Sequence, residues 1–189
     1  TVITSFVIAF VCTLIGTVYA LSLQNLKNDK IKQLFEIVSL LPMNVSSVVL
    51  GCGITLIFKK GNIILLILLQ SALFWPLSYR QINTAIKKVP KNVYEAGLII
   101  SNNYRDFVFR VLLPWIRKSL FSSFGFCFAF SAGDTTLPLL LSLKNFQTLS
   151  LYTYRLSGSY RFNTACASGT ILGLICFLVF IFSEKIGNN

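Results

Sequence analysis

No histidine occurs anywhere in this chain, and only six of its 189 residues are acidic. The missing imidazole removes the commonest general base near neutral pH and the commonest metal ligand. The six acids, Asp29, Glu36, Glu95, Asp106, Asp134 and Glu184, are spread along the chain and form no cluster. A membrane enzyme, such as a lipid-modifying protein, would need a nucleophile–base pair or a metal cluster at the interface, and neither is present. The phosphate-cradling pattern GxxxxGK[ST] is also missing, so ATP phosphates have no loop of that kind to bind. Neither a cofactor nor a metal is expected. No CxxC pair occurs either: Cys12, Cys52, Cys127, Cys166 and Cys176 all lie inside apolar runs, where thiols behave as small hydrophobes. The chain begins with Thr1 and has no charged n-region with a cleavage site, so its first apolar run is not a signal peptide. From such a start a fragment or a cut domain is expected.

Charge as a whole is scarce. Charged residues make up 12% of the chain, hydrophobic residues 54%, and the mean hydropathy is +0.72. A soluble domain carries about twice that charge. Uncharged runs cover residues 1–26, 37–58, 61–79 and 162–183, and a further run, 119–143, is interrupted only by Asp134. A helix needs roughly 20 apolar residues to cross the hydrocarbon. The runs therefore predict an all-α membrane protein with about five transmembrane helices. The net charge of +11 invites a nucleic-acid reading. The 17 Lys and Arg residues sit between apolar runs, however, where they act as topology signals and not as one basic face.

Spans alternate in direction, so the basic residues divide into two sets. Segments 24–36, 80–118 and the tail hold twelve of them; segments 59–62 and 144–161 hold five, namely Lys59, Lys60, Lys144, Arg155 and Arg161. The richer set belongs in the cytoplasm. The chain then starts outside and ends inside, with a large cytoplasmic loop at 80–118. Within that loop Pro90 marks a helix start. Val93, Ala96 and Ile100 recur at helical spacing, and Asn102–Asn103 breaks the pattern. A second amphipathic stretch sets Tyr104, Phe107, Val108 and Val111 against Arg105, Asp106 and Arg110; Pro114 is expected to end it, with Trp115 at the membrane interface. A helix pair this short cannot bury its apolar face alone and calls for a partner surface.

These residues resemble a known family. Permeases of binding-protein-dependent ABC importers carry a cytoplasmic signature of Glu-Ala-Ala, three residues, Gly, nine residues, Ile, one residue and Leu-Pro. Here the matching residues are Glu95, Ala96, Gly97, Ser101, Val111, Leu113 and Pro114, with no gap in the spacing. Gly97 replaces the usual second Ala, Ser101 the usual Gly and Val111 the usual Ile. Leu41–Asn44 with Val48–Gly51 is similar to the family's third span, and Ala129–Asp134 to its fifth. The stretch Asn145–Leu149, with Tyr152, Tyr154, Arg155 and Gly158–Arg161, looks most like the thiamine and iron(III) importer permeases.

The resemblance implies the type I importer permease fold, with residues 1–189 as one transmembrane domain: the C-terminal half of a longer permease lacking its first span. It implies a coupling-helix pair at 80–118 that docks on a separate ABC ATPase dimer, which hydrolyses the ATP. It also implies a periplasmic or lipoprotein substrate-binding protein, a second permease half or homologous subunit, and a bacterial inner membrane location. Thiamine or iron(III) is the implied substrate. Docked smallness at Ala96 and Gly97, and a helix-dipole position for Glu95, are expected features of the coupling surface. Two alternatives stand beside this reading. The basic-flanked pair also suits a membrane-surface helix, and the chain also suits a non-transport scaffold recruiting a soluble partner through 80–118.

Polar residues inside the spans are the remaining candidates. Asp134, beside Ser131, Thr135 and Thr136, lies either near the translocation path or the interface between the two permease halves, or at the outer boundary, ending the fourth span and capping the next turn. Asn44, with Ser46 and Ser47, lines the cavity or bonds between helices. Gly51, Gly53, Gly169 and Gly173 are expected to pack helices together. Tyr152, Tyr154 and Tyr160 are either an interfacial belt or a cation-stacking cluster.

Overall fold

The computed structural model describes residues 1–24, 26, 28–58, 61–101, 103–142 and 146–188. Lys27, Lys59, Lys60, Asn102, Lys144 and Asn145, used above for topology, turn and family resemblance, lie outside the described residues. Every regular element among the described residues is helical: α1 (Val2–Gln24), α2 (Asp29–Ser39), α3 (Leu41–Asn44), α4 (Ser47–Ile57), α5 (Ile63–Lys87), α6 (Lys91–Ile100), α7 (Tyr104–Phe107), a π segment (Val108–Leu112), α8 (Leu113–Gly133), α9 (Thr136–Leu140), α10 (Leu149–Gly158) and α11 (Phe162–Asn188).

By length and composition, α1, α5 and α11 can each cross a membrane. A fourth crossing is available if the pair α2–α3 and α4, bent by 77°, acts as one broken span. The uncharged run 37–58 gave no hint of that bend. Its cause is local: Val45 and Ser46 are extended, with ψ of 125° and 130°, so the helical hydrogen-bond ladder stops and restarts. Helix α8 has 21 residues, enough to cross, though Arg117, Lys118 and four serines dilute its apolar character.

Three helices, α1, α5 and α8, form the centre, with α11 packed on α8. In lipid such packing rests on close backbone approach and not on water expulsion. Gly16 provides it: a Cβ there would lie 2.7 Å from the Tyr79 amide and 2.8 Å from Ser78 Oγ. Beside this crossing, the Ser78 and Ser123 hydroxyls share a buried hydrogen bond of 2.6 Å that ties α5 to α8. Cys12, Cys127, Phe128 and Ile8 fill the middle of the bundle. Of the glycines expected to pack, Gly51 meets Leu140, whereas Gly53 and Gly173 face open space. Gly169 faces Thr153 of α10, where a Cβ would lie 3.7 Å from Thr153 Cγ2, so among the described residues only the first of the Gly169–Gly173 pair packs a helix.

One end of the bundle, here the loop end, carries the C-termini of α1, α5 and α11 together with α2 and α6; Gly187 sits against Lys118 there. The far end carries Thr1, whose hydroxyl accepts from the Leu149 amide at 2.7 Å, and the turn between α10 and α11. Arg80, Lys87, Lys88, Lys91, Arg105 and Arg110 thus fall at the loop end, and Arg155 and Arg161 at the far end. Helix α2 turns its polar side inward. Glu36 accepts from Lys87 Nζ at 2.9 Å and from Asn83 Nδ2 at 3.3 Å, while Ile31, Leu34, Phe35 and Val38 face outward. That is the reverse of a helix on a water-soluble core.

Candidate functional site

Pro90 is the N-cap of α6, as its position before Lys91 dictates. The buried side of this helix is centred on Gly97, with Val93, Tyr94 and Ser101 half-buried beside it. A Cβ on Gly97 would lie 2.7 Å from Phe107 Cε2 and 3.1 Å from Val111 Cγ1. Phe107 is wholly buried, edge-on to Tyr94 with ring centroids 4.9 Å apart. Two expectations change here. The smallness of Gly97 serves packing inside the helix pair and not the approach of an outside partner. Glu95 is the fifth residue of α6, one residue past the first turn, where the helix-dipole effect has fallen off. Ser101 has φ of −88°, so this position has no use for glycine's conformational freedom; its hydroxyl donates to the Gly97 carbonyl at 2.7 Å.

The outer side of α6 is exposed. It carries Glu95, Ala96, Leu98, Ile99 and Ile100, with Ile99 85% and Ile100 83% accessible. Phe109, 70% accessible on the π segment, also faces outward. Of the stripe Val93, Ala96 and Ile100, only Val93 turns inward. Sequence reasoning passed over Leu98, Ile99 and Phe109; three consecutive apolar residues ending a helix between charged flanks were the available signal.

Pro114 does not end the second stretch. The chain runs without a break from Tyr104 through the π segment into α8, and the Leu113 amide bonds to the Val108 carbonyl, five residues back. A proline lacks the amide for its own bond to residue 110 and its ring crowds that carbonyl. The widened π turn removes the clash while keeping the helix continuous. Leu113 is half-buried and Pro114 exposed, while Phe107, Val108, Leu112 and Ile116 pack with Ala20, Leu23, Tyr79, Ile82 and Ile86. Tyr104 hydroxyl donates to the Leu21 carbonyl at 3.3 Å, and burial pushes its phenol above the ordinary value, so it stays a donor. The helix pair is thereby welded to the loop ends of α1, α5 and α8.

At the far end a second polar group forms. Asp134 is the C-cap of α8, and its Oδ1 accepts from the Thr136 amide at 3.0 Å, opening α9. Its Oδ2 accepts from Gln70 Nε2 at 2.8 Å; Gln70 Oε1 in turn accepts from the Ser131 hydroxyl at 3.0 Å. Ser150 Oγ donates to the Asp134 carbonyl at 2.9 Å. Asp134 thus both ends a helix and joins an interhelical network; Ser131 is with it, and Asn44 is not. Asn44 is exposed and donates to Leu40 of its own turn at 3.2 Å. Gln70 was missed because a search for uncharged runs passes over an amide. A strongly polar side chain within the run 61–79 was the signal.

A bundle of long apolar helices with buried polar links and a helix pair packed at one end is the architecture of a multi-pass membrane protein. Residues 12–186 match the family described as the binding-protein-dependent transport system inner membrane component. The chain belongs to that family, the inner-membrane permeases of ABC importers. It is 25% identical to the ferric transport system permease protein FbpB of Actinobacillus pleuropneumoniae over 96% of this chain and 30% of that protein. It is 35% identical to the thiamine transport system permease protein ThiP of Escherichia coli (strain K12) over 42% of this chain and 15% of that protein. The chain therefore spans less than a third of the length of either relative. Its fold is similar to a chain of the bacterial alginate ABC transporter solved in complex with alginate pentasaccharide-bound periplasmic protein. The TM-score is 0.71 and the identity 14%, over 98% of this chain and 76% of that chain. At that identity the likeness is one of fold.

Proposed function

We propose that this chain is the translocating subunit of an ATP-driven importer, with α6 as its coupling helix. The observation that carries this is the exposed apolar outer side of α6, with Leu98, Ile99 and Ile100, on a helix pair packed into the bundle, where Phe109 of the π segment is exposed as well. Such a patch beside Glu95 suits the cleft of a separate ATPase subunit, and the signature Glu95, Ala96, Gly97, Ser101, Val111, Leu113 and Pro114 marks it. Movement of α6 passes through Gly97 and Val111 to Phe107, and from there to the loop ends of α1, α5 and α8. Rocking these three helices together opens and closes a path between this chain and a second permease half. The loop end faces the cytoplasm, in keeping with its excess of Lys and Arg. A substrate-binding protein delivers solute to the far end, near α10 and the Asp134–Gln70–Ser131 group. The names of two relatives support iron(III) or thiamine as the substrate class.

The test is Ile99→Glu in the importer reconstituted with its ATPase and binding protein. A charge placed at an interface centre typically removes 2 kcal/mol or more, roughly thirtyfold in affinity. Loss of both uptake and ATPase stimulation, with unchanged thermal stability of the permease, is expected. Capture of the ATPase without any stimulation by loaded binding protein, in the unmodified chain, would favour the scaffold instead.

A further inference from the structure

An open groove of about 380 Å³ lies between α5 and α8, lined by Leu77, Arg80, Gln81, Thr84, Ser119 and Ser122. Residues 77, 80, 81 and 84 share one face of α5, and 119 and 122 share one face of α8. This face of α5 points away from Tyr79, Ile82 and Ile86, which pack toward α1. The groove therefore opens outward from the three-helix centre, on the half of α5 nearer the loop end.

Its lining joins apolar carbon to polar groups and one charge. Five of six lining side chains are polar and one is a guanidinium. No carboxylate among the described residues comes within ion-pair distance of Arg80. Gln81 Oε1 is buried and has no hydrogen-bond partner among the described residues. Arg80 is exposed on the half nearer the loop end, and the buried orphaned acceptor beside it is costly unless it meets water, a solute or a partner. Farther from the loop end the same face of α5 continues through Leu73, Gln70 and Leu66, which are buried, while Phe126 is exposed on the face of α8.

We propose that this groove is one wall of the inner mouth of the translocation path, and that Arg80 makes it a site for an oxyanion group of the permeating solute. The guanidinium is a rigid fork matched to carboxylate or phosphate, and Gln81 with Ser119 and Ser122 supplies further hydrogen bonds. This rests on the importer reading and sharpens it. A bare organic cation is disfavoured at this wall, whereas iron(III) held in an anionic carboxylate or phosphate chelate is accepted. A lipid phosphate offers the same chemistry to Arg80, so the experiment separates the two sources.

Ser122→Cys is placed in the importer, reconstituted with its ATPase and binding protein in vesicles with the loop side outward. The unsubstituted chain, with its own exposed Cys52 and Cys166, sets the background. Rates are measured with a negatively charged methanethiosulfonate, a positively charged one and a bilayer-soluble maleimide. A unit charge in a partly wet groove changes local ion concentration by roughly tenfold. The expected result is reaction with both water-soluble reagents, the anionic one faster by about that factor. Arg80→Gln brings the ratio near unity, and Arg80→Lys retains most of it. Labelling by the maleimide alone places the groove against lipid and overturns the proposal, as does an anion preference that Arg80→Gln leaves unchanged. The same vesicles report ATPase stimulation. If that is present while the charge preference is absent, the importer reading stands and the anion site falls; if stimulation is absent in the unmodified chain, both fall.

Discussion

Gly97→Val tests whether α6 is held by internal packing or by whatever docks on it. In the helix interior, valine is favoured over glycine by about 0.5 kcal/mol. Against that, even a Cβ at this position lies 2.7 Å from Phe107 Cε2 and 3.1 Å from Val111 Cγ1. Phe107 cannot retreat, because it is wholly buried among Tyr94, Tyr104, Leu112 and Ile86. Overfilling a packed site of this kind costs about 1–3 kcal/mol. The balance is a net loss of about 0.5–2.5 kcal/mol in the closure of α6 onto the π segment. That corresponds to a roughly two- to seventyfold larger open population. Amide hydrogen exchange over residues 91–101 in the isolated permease reads this directly, since local opening sets the rate there. Ala96→Val, on the exposed side of the same helix, is the control and is expected to change exchange little. If Gly97→Val and Ala96→Val behave alike without the ATPase, Gly97 is not a packing residue and the weld through Phe107 is wrong.

Asp134→Ala strands the buried Gln70 amide and is expected to destabilise the permease by about 1–3 kcal/mol, seen as a lower Tm in detergent. Adding Gln70→Leu should recover part of that loss, whereas a further drop would show that the network is not the source. Pro114→Ala supplies the missing amide and lets the π segment relax to an α-helix. Insertion and Tm should hold while ATPase stimulation falls, because the residues before position 114 rotate relative to α8.

Spans without charge were the most legible feature. The run 1–26 became α1 at Val2–Gln24 because nothing in it interrupts the helix or its apolar surroundings. Where a charged residue ended a run, the helix did not always end with it. Helix α5 continues eight residues past Tyr79, to Lys87, because Ile82 and Ile86 keep facing the core while Arg80, Thr84 and Lys87 face outward. The break after Asn44 was hidden, since extended residues at 45 and 46 are all uncharged. Pro114 was misjudged because sequence rules treat proline as a stop, and a π turn is a tertiary solution they do not contain. The signature from Glu95 to Pro114 was legible as a pattern. Which of its members turn inward depended on the partner face offered by Phe107, which no local periodicity encodes. Arg80 was counted as a topology signal, and only its neighbours across the α5–α8 contact reveal the groove around it.

The central claim is that the exposed side of α6 meets an ATPase in the cytoplasm while α10 lies on the other face of the membrane. Site-directed cross-linking of the assembled importer tests it most directly, with Ile99→Cys on α6 and Tyr152→Cys on α10, both at exposed positions. The account predicts that Ile99→Cys cross-links to the ATPase subunit and resists a membrane-impermeant thiol reagent added outside. Tyr152→Cys should react with that reagent and yield no ATPase adduct. Labelling of Ile99→Cys from outside, or an ATPase adduct at Tyr152→Cys in its place, would contradict the account.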